Sequence, residues 1–175
     1  ICSRFQRGAM GTPDANPTEY VGSPRRPLLC PTDPYWIERD EITIAELLKT
    51  RGYATACIGK WHLGDHADFL PTRQGFDFYY GIPYSNDMWI DPANKLASDV
   101  VIREGLTLAD LKAGHKGKNV VPIFRNEEVA EYPADQTTIT RRYTEEAIRF
   151  ITKKSGEPFF LYLPLPCSNP LHSFT

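Results

Sequence analysis

Two side chains that can act on an anion, those of Lys60 and His62, directly follow a short apolar segment. The segment reads YATACIG from Tyr53 to Gly59, which predicts a strand buried on both faces. Ligands of open α/β sheets gather at the carboxyl ends of strands, so a binding site is expected here. The ammonium of Lys60 can hold oxyanion oxygens, and the imidazole of His62 can donate or accept a proton. The pattern favours transfer of an anionic group, although a solvated Lys60 and a structural His62 explain the spacing equally well.

The elements that position these side chains are predicted as two units of a helix followed by a strand. The segment DEITIAELLKTRG predicts a helix that Asp40 caps and Gly52 ends, directly before the strand described above. Near the C-terminus, Thr137 or Thr138 caps a second predicted helix, and PFFLYLPL follows it as a strand. Two such units predict an α/β layer fold.

The sequence between these two units is rich in turn signals. We interpret residues 64–136 as an insertion or excursion from the layered core. Within it, VVPIFRNEEVAEYP predicts a hairpin that turns at Asn126 and Glu127.

Other conspicuous residues in this region have structural interpretations. Arg73 and Asp77 are predicted to pair across a turn and to hold a loop. His115 lies among lysines in a segment with glycines, which is typical of a solvated loop. Four aromatic residues are assigned to the core: Phe76, Phe78, Tyr79 and Tyr80.

Composition and charge exclude several classes of protein. The chain has 175 residues, of which 41% are hydrophobic and 24% charged, a balance typical of a globular domain with one core. Its net charge of -2 gives no field that would collect nucleic acid or an anionic membrane. The longest apolar stretch, Phe159 to Cys167, contains two prolines and is too short to span a bilayer. The sequence therefore predicts neither nucleic acid nor membrane as a partner.

The predicted domain organisation has two parts. Residues 1–36 contain six prolines and show no sustained period, so we expect an irregular lead-in, followed by the folded domain at 37–175. Because the chain begins at Ile1 rather than Met and shows no signal peptide, we expect a piece of a longer protein. The four cysteines contain no Cys-x-x-Cys pair and predict no disulfide scaffold: Cys2, Cys30, Cys57 and Cys167.

Three segments together carry a resemblance to a known family. GYATACIGKWHLG matches the second signature of the sulfatase family without a gap. LPTRQGFDFYYGIPYSND and PFFLYLPLP follow it in the order found in arylsulfatases. The resemblance covers roughly residues 38–170, so the sequence is identified as part of a sulfatase N-terminal catalytic domain.

The resemblance implies a fold, a reaction and cofactors. The fold would be alkaline-phosphatase-like, a mixed and mainly parallel sheet flanked by helices and incomplete in this chain. The reaction would be hydrolysis of sulfate esters on a small molecule or a glycan. It would use a formylglycine made from cysteine and a divalent metal, usually calcium, whose ligands would lie outside this chain. Relatives are commonly secreted, periplasmic or lysosomal, and the oligomeric state stays open.

The same resemblance assigns roles to three residues. Lys60 and His62 match positions that bind sulfate and assist at the formylglycine. Ser85, in GIPYSND, matches a serine that contacts substrate; without the match, a turn hydroxyl after Pro83 explains it equally well.

Other positions depart from the family pattern. The modification motif is Cys-x-Pro-x-Arg or Ser-x-Pro-x-Arg, whereas Cys2 is followed by Ser, Arg, Phe and Gln, which does not predict conversion to formylglycine. Where most relatives carry a sulfate-binding histidine, Asn169 stands, with His172 three residues later, and neither is assigned. Gly59 and Gly64 indicate that the cluster His62, Asp65 and His66 lies in a loop, and it is not assigned to a metal either.

Two alternatives to a sulfate-ester hydrolase follow from these departures and from the chemistry. The first is a noncatalytic or truncated relative without a working formylglycine and metal site. The second is a phosphate-ester hydrolase of the same superfamily, since tetrahedral oxyanions share much of their electrostatic recognition.

Overall fold

The computed structural model describes residues 10–11, 36–37, 41–103, 105–113 and 120–165. Most of the predicted lead-in at 1–36 therefore lies outside the described residues. The same holds for the other singled-out positions Cys2, Cys30, Asp40, His115, Cys167, Asn169 and His172.

The described chain contains eight strands and three α-helices. The strands are β1 Met10–Gly11, β2 Trp36–Ile37, β3 Ala54–Ile58, β4 Phe78–Gly81, β5 Leu96–Ile102, β6 Ile123–Arg125, β7 Glu128–Tyr132 and β8 Phe159–Tyr162. The helices are α1 Ile44–Lys49, α2 Leu108–Lys112 and α3 Ile139–Lys153, with short 3-10 helices at Ala67–Phe69 and Pro71–Arg73. None of the helices in the described part of the chain has the length and apolar content needed to cross a bilayer.

Six of the strands form one sheet in the order β5-β7-β6-β4-β3-β8. Strand β3 lies between β4 and β8 and is parallel to both. Strand β6 is antiparallel to its neighbours β4 and β7, while β5 is parallel to β7. The sheet is therefore mixed and mainly parallel with helices around it, and this confirms the predicted fold class.

Helix α1 begins at a different cap from the predicted one. Thr43 is its N-cap: the side chain accepts from the backbone N–H of Glu46, and the Glu46 side chain accepts from the N–H of Thr43. This reciprocal capping box satisfies two backbone donors that the first turn leaves open. Gly52, with φ +79°, follows the helix as predicted.

The predicted hairpin is confirmed, but its interpretation as an insertion is wrong. Strands β6 and β7 pair across Asn126 and Glu127, and Asn126 has φ 55°, a conformation that asparagine tolerates in turns. The backbone N–H of Asn126 donates to the carbonyl of Tyr79 at 2.8 Å, and its side-chain oxygen accepts from the Tyr79 N–H at 3.1 Å. These bonds attach the hairpin to β4, so it extends the central sheet.

Alternation along β3 and β4 divides the core between the two faces of the sheet. Cys57 and Tyr79 pack on the face that α1 covers, whereas Ile58 and Tyr80 pack on the face that α3 covers. Phe76, Tyr79 and Tyr80 are buried, and Phe78 packs against the part of the core that contains Tyr80, which confirms their predicted role.

The predicted pair between Arg73 and Asp77 is wrong. Arg73 instead pairs with Glu127 of the hairpin at 2.9 Å. Asp77 pairs with Lys49 of α1 at 2.7 Å and accepts from the backbone N–H of Thr55. Both side chains reach elements distant in sequence, which local turn spacing does not reveal.

Candidate functional site

The end of β3 is fixed between its two parallel neighbours. The backbone N–H of Gly59 donates to the carbonyl of Tyr80 at 2.9 Å, and that of Lys60 donates to the carbonyl of Pro164 at 2.9 Å. Gly59 has φ +127°, and a Cβ there would lie 2.1 Å from the Pro164 oxygen. Only glycine allows this approach, and Lys60 consequently leaves the sheet at a defined point between β4 and β8.

The chain after β3 continues beside the chain after β4. The backbone N–H of Trp61 donates to the carbonyl oxygen of Ile82 at 3.0 Å, and that of His62 donates to the carbonyl oxygen of Pro83 at 2.7 Å. Ser85 follows Pro83 by two residues and is half-buried. The structure therefore brings the three predicted site residues onto two adjacent segments at the carboxyl ends of parallel strands.

Trp61 anchors this segment from the side of the core. Its indole N–H donates to the carbonyl of Phe69 at 2.8 Å, and its ring lies edge-on to Phe76 with centroids 6.0 Å apart. Trp61 is buried while Lys60 is half-buried. A buried tryptophan with a satisfied N–H fixes the backbone on which Lys60 and His62 are carried.

The imidazole of His62 is buried, with 7% of the residue exposed. Its backbone has φ 65°, a left-handed conformation that is uncommon for a residue other than glycine. Neither ring nitrogen has a hydrogen-bond partner among the described residues. A buried polar group in this state is costly unless a ligand or water meets it.

The electrostatic surroundings of His62 keep its ring neutral near neutral pH. Burial and the positive charge of Lys60 lower the pKa of His62 to about 4, and Asp87 opposes that change. A neutral imidazole carries one N–H donor and one acceptor nitrogen. Lys60 therefore supplies the positive charge at this end of the sheet, and His62 supplies a donor and an acceptor.

Three residues that the sequence analysis did not assign form a series of contacts that begins at His62. Tyr84 is fully buried and lies edge-on to the His62 ring, with centroids 5.5 Å apart and ring planes at 86°. Its hydroxyl donates a long hydrogen bond of 3.4 Å to the carboxylate of Asp65. The side-chain amide of Asn94 donates to the Asp65 carbonyl at 3.0 Å. Tyr84 immediately precedes Ser85, so its position in GIPYSND is the signal that could have drawn attention to it.

The described residues do not fit the metal or the formylglycine that the resemblance implies. No group of three or more His, Cys, Asp or Glu side chains that could hold a metal ion occurs within the described ranges. Cys57, a cysteine in those ranges, is completely buried in β3, and burial raises the pKa of its thiol. A thiol with these surroundings is inert, so Cys57 does not take the place of the modified cysteine.

Comparison with known proteins identifies relatives for most of the chain. A family model described as Sulfatase matches residues 26–175. Arylsulfatase G of Mus musculus is 33% identical over 150 residues, a match that covers 72% of this chain and 25% of that protein. Arylsulfatase A of Bos taurus is 35% identical over 127 residues, covering 70% of this chain and 24% of that protein. The chain thus spans about a quarter of the length of these curated relatives.

Solved structures share the fold. The crystal structure of Ps i-CgsB in complex with k-i-k-neocarrahexaose matches with a TM-score of 0.58 and 27% identity. That match covers 83% of this chain and 31% of the solved chain. Together with the family match, it confirms the expected alkaline-phosphatase-like α/β architecture.

Proposed function

This chain belongs to the sulfatase family, and from this we propose that Lys60, His62 and Ser85 contribute to a site that hydrolyses sulfate esters. Sulfate is a tetrahedral anion, and its recognition requires positive charge and hydrogen-bond donors directed at its oxygens. The two adjacent segments at the ends of β3 and β4 carry groups of both kinds.

The observation that carries this proposal is the buried His62 ring, whose two nitrogens have no partner among the described residues. Leaving such a group unpaired costs on the order of 1–3 kcal/mol, so its retention fits a polar ligand that completes the hydrogen bonds. The positive charge of Lys60 lowers the pKa of the same ring, in addition to the effect of burial. An anion that meets both groups offsets the cost of burying them.

Each residue has a distinct part in the proposed chemistry. Sulfuryl transfer resembles phosphoryl transfer, in which positioning and charge stabilisation outweigh covalent work by the protein. Lys60 stabilises negative charge on the nonbridging sulfate oxygens. The hydroxyl of Ser85 donates to another oxygen, and the neutral imidazole of His62 holds or accepts a proton beside the sulfur.

The proposed substrate class is a sulfate ester on a small molecule or a glycan. Two matched curated relatives are arylsulfatases by name, and the matched crystal structure contains an oligosaccharide named k-i-k-neocarrahexaose. We propose that the ligands of a divalent metal, calcium in the family that the chain resembles, lie outside the described ranges.

The altered motif around Cys2 favours a second candidate function, a noncatalytic relative that binds a sulfate group without cleaving its ester. Without the proline and the correctly spaced arginine, the sequence does not predict conversion of Cys2 to formylglycine. The two candidates share the same anion site and differ in turnover.

One set of measurements on the full-length protein separates the candidates. Hydrolysis of an aryl sulfate, with the matching aryl phosphate cleaved far more slowly, supports the proposed function. Exclusive cleavage of the phosphate contradicts it and favours a phosphate-ester hydrolase. Binding of inorganic sulfate without turnover, combined with an unmodified Cys2 by mass spectrometry, contradicts the hydrolase and favours the noncatalytic relative.

A further inference from the structure

We infer that Tyr84 is a positioning residue for His62: its aromatic ring fixes the plane in which the imidazole presents its nitrogens to a ligand. The inference rests on the proposed function, because it concerns the same imidazole. Tyr84 would therefore affect the reaction by orienting His62, without contacting the substrate itself.

The orientation of the His62 ring has to come from packing. A histidine that acts on a substrate is usually oriented by a hydrogen bond that one of its ring N–H groups donates, often to a carboxylate or a backbone carbonyl. Neither nitrogen of His62 has such a partner among the described residues. The edge-on contact with Tyr84, at 5.5 Å and 86°, is therefore the observed restraint on the plane of the ring.

The backbone holds the two rings at this separation. The N–H of His62 donates to Pro83, the neighbour of Tyr84, at 2.7 Å. His62 also occupies a left-handed conformation, φ 65°, which restricts the directions that its side chain can take. The pair is thus set by a short hydrogen bond and by an unusual backbone angle, and the ring of Tyr84 closes one side of the imidazole.

Tyr84 is itself fixed by its surroundings. Its side chain is fully buried, and its hydroxyl donates to Asp65 at 3.4 Å. Asp65 is also buried, and its backbone carbonyl accepts from Asn94 at 3.0 Å. Burial holds the phenol ring in place and the hydroxyl adds a long hydrogen bond, while the contact that reaches His62 is made by the ring.

This division gives different expectations for two substitutions. Tyr84→Phe keeps the ring and removes the hydroxyl, so kcat for an aryl sulfate should stay within about 3-fold of wild type. Tyr84→Leu removes the flat ring, so kcat should fall about 10-fold or more while KM changes by less than about 3-fold. Tyr143→Leu is the control, because it removes another buried tyrosine, one that packs in the part of the core that α3 covers.

Titration of His62 by NMR gives a readout that does not depend on activity. Lys60 lowers the pKa of His62 and Asp87 raises it, and neither residue is substituted in any of the variants. Tyr84→Leu should admit water and raise the pKa of His62 from about 4 toward its ordinary value of 6.5. Tyr84→Phe and Tyr143→Leu should leave the pKa near that of wild type.

The outcomes separate this inference from the proposed function. If Tyr84→Leu does not fold, Tyr84→Met replaces it, since methionine fills the volume with a flexible chain instead of a flat ring. A folded Leu or Met variant with wild-type kcat and an unmoved His62 titration overturns the positioning role. An inactive wild-type protein overturns the proposed function instead, and the titration then decides whether Tyr84 orients His62.

Discussion

The carbonyl oxygen of Gly59 occupies the space where any side chain at position 81 would begin: a Cβ at Gly81 would lie 1.8 Å from it. The two glycines stand at the ends of the parallel strands β3 and β4, directly before the segments that carry Lys60 and Ser85. Their contact brings the two backbones together at the candidate site. Glycine at position 81 is therefore required by the close approach of backbone to backbone.

Gly81→Ala should destabilise the protein by about 2–4 kcal/mol, because the added methyl group meets rigid backbone and the two strand ends must separate. Gly156→Ala is the matched control, since a Cβ at Gly156 meets nothing within 4 Å. Urea denaturation of both variants measures the effect. Equal stabilities for the two variants would contradict the close approach.

Lys60→Ala should lower kcat for an aryl sulfate about 100-fold or more, as expected when a group that stabilises developing negative charge is removed. Lys112→Ala is the control, because Lys112 is an exposed lysine at the end of α2. Steady-state kinetics of the two variants make the comparison. Unchanged kinetics in Lys60→Ala would remove the role proposed for this residue.

His62 should make folding stability depend on pH. Its pKa is about 4 in the folded protein and 6.5 as an ordinary histidine, so the unfolded chain binds the proton first as the pH falls. Stability is therefore lost between about pH 6.5 and pH 4, and by about pH 4.5 the loss should reach about 2–3 kcal/mol.

The variant for this test is His62→Asn, because asparagine tolerates the left-handed backbone that His62 adopts. Denaturation of wild type and variant at about pH 7.5 and about pH 4.5 isolates the contribution of the imidazole from that of other groups. The free-energy gap between the two proteins should change with pH in the direction that weakens wild type in acid. A constant gap would show that the ring is not buried as a neutral group.

Glu131 should matter far more to stability than Glu127. The Glu131 carboxylate is buried, 4% exposed as a residue, and accepts from Arg142 at 2.7 Å and from the backbone of Asp135 at 2.9 Å. Glu131→Ala leaves Arg142 without this partner and should cost about 3–5 kcal/mol.

Glu127→Ala is its matched control. Glu127 pairs with Arg73 near the surface, and an exposed pair contributes about 0–1 kcal/mol. The thermal midpoints of the two variants provide the measurement. A smaller loss for Glu131→Ala than for Glu127→Ala would show that burial does not govern these two pairs.

Local sequence was sufficient to predict the elements that short-range physics controls. The apolar run before Lys60 forms β3, the amphipathic pattern after Thr138 forms α3, and Asn126 turns the predicted hairpin. In each case the signal is periodicity, a glycine or a turn residue acting within a few positions. The cap of α1 was predicted at the wrong residue. Thr43, and not Asp40, has a glutamate three positions further along the chain, and Thr43 and Glu46 form the capping box.

Predictions of side-chain pairs failed where the partners are distant in sequence, because the sequence shows only which residues are close along the chain. Asp77 was expected to pair with Arg73 four positions away, but it meets Lys49 of α1, while Arg73 meets the hairpin. The hairpin itself was interpreted as an excursion, because nothing local shows that Asn126 bonds to Tyr79 in β4. Such pairings are decided by how elements pack.

The sequence by itself determined the chemical types of the residues proposed to bind an anion, the helix and strand that precede them, and the resemblance to sulfatases, since residue chemistry and periodicity are properties of the chain. Only the tertiary structure decided that the segment of His62 lies against that of Ser85 and that Tyr84 faces the imidazole. The physical reason is that β3 and β4 become neighbours through backbone hydrogen bonds, and these bonds do not depend on the identity of the side chains along the two strands. Their contact at Gly59 and Gly81 then fixes how closely the two segments approach.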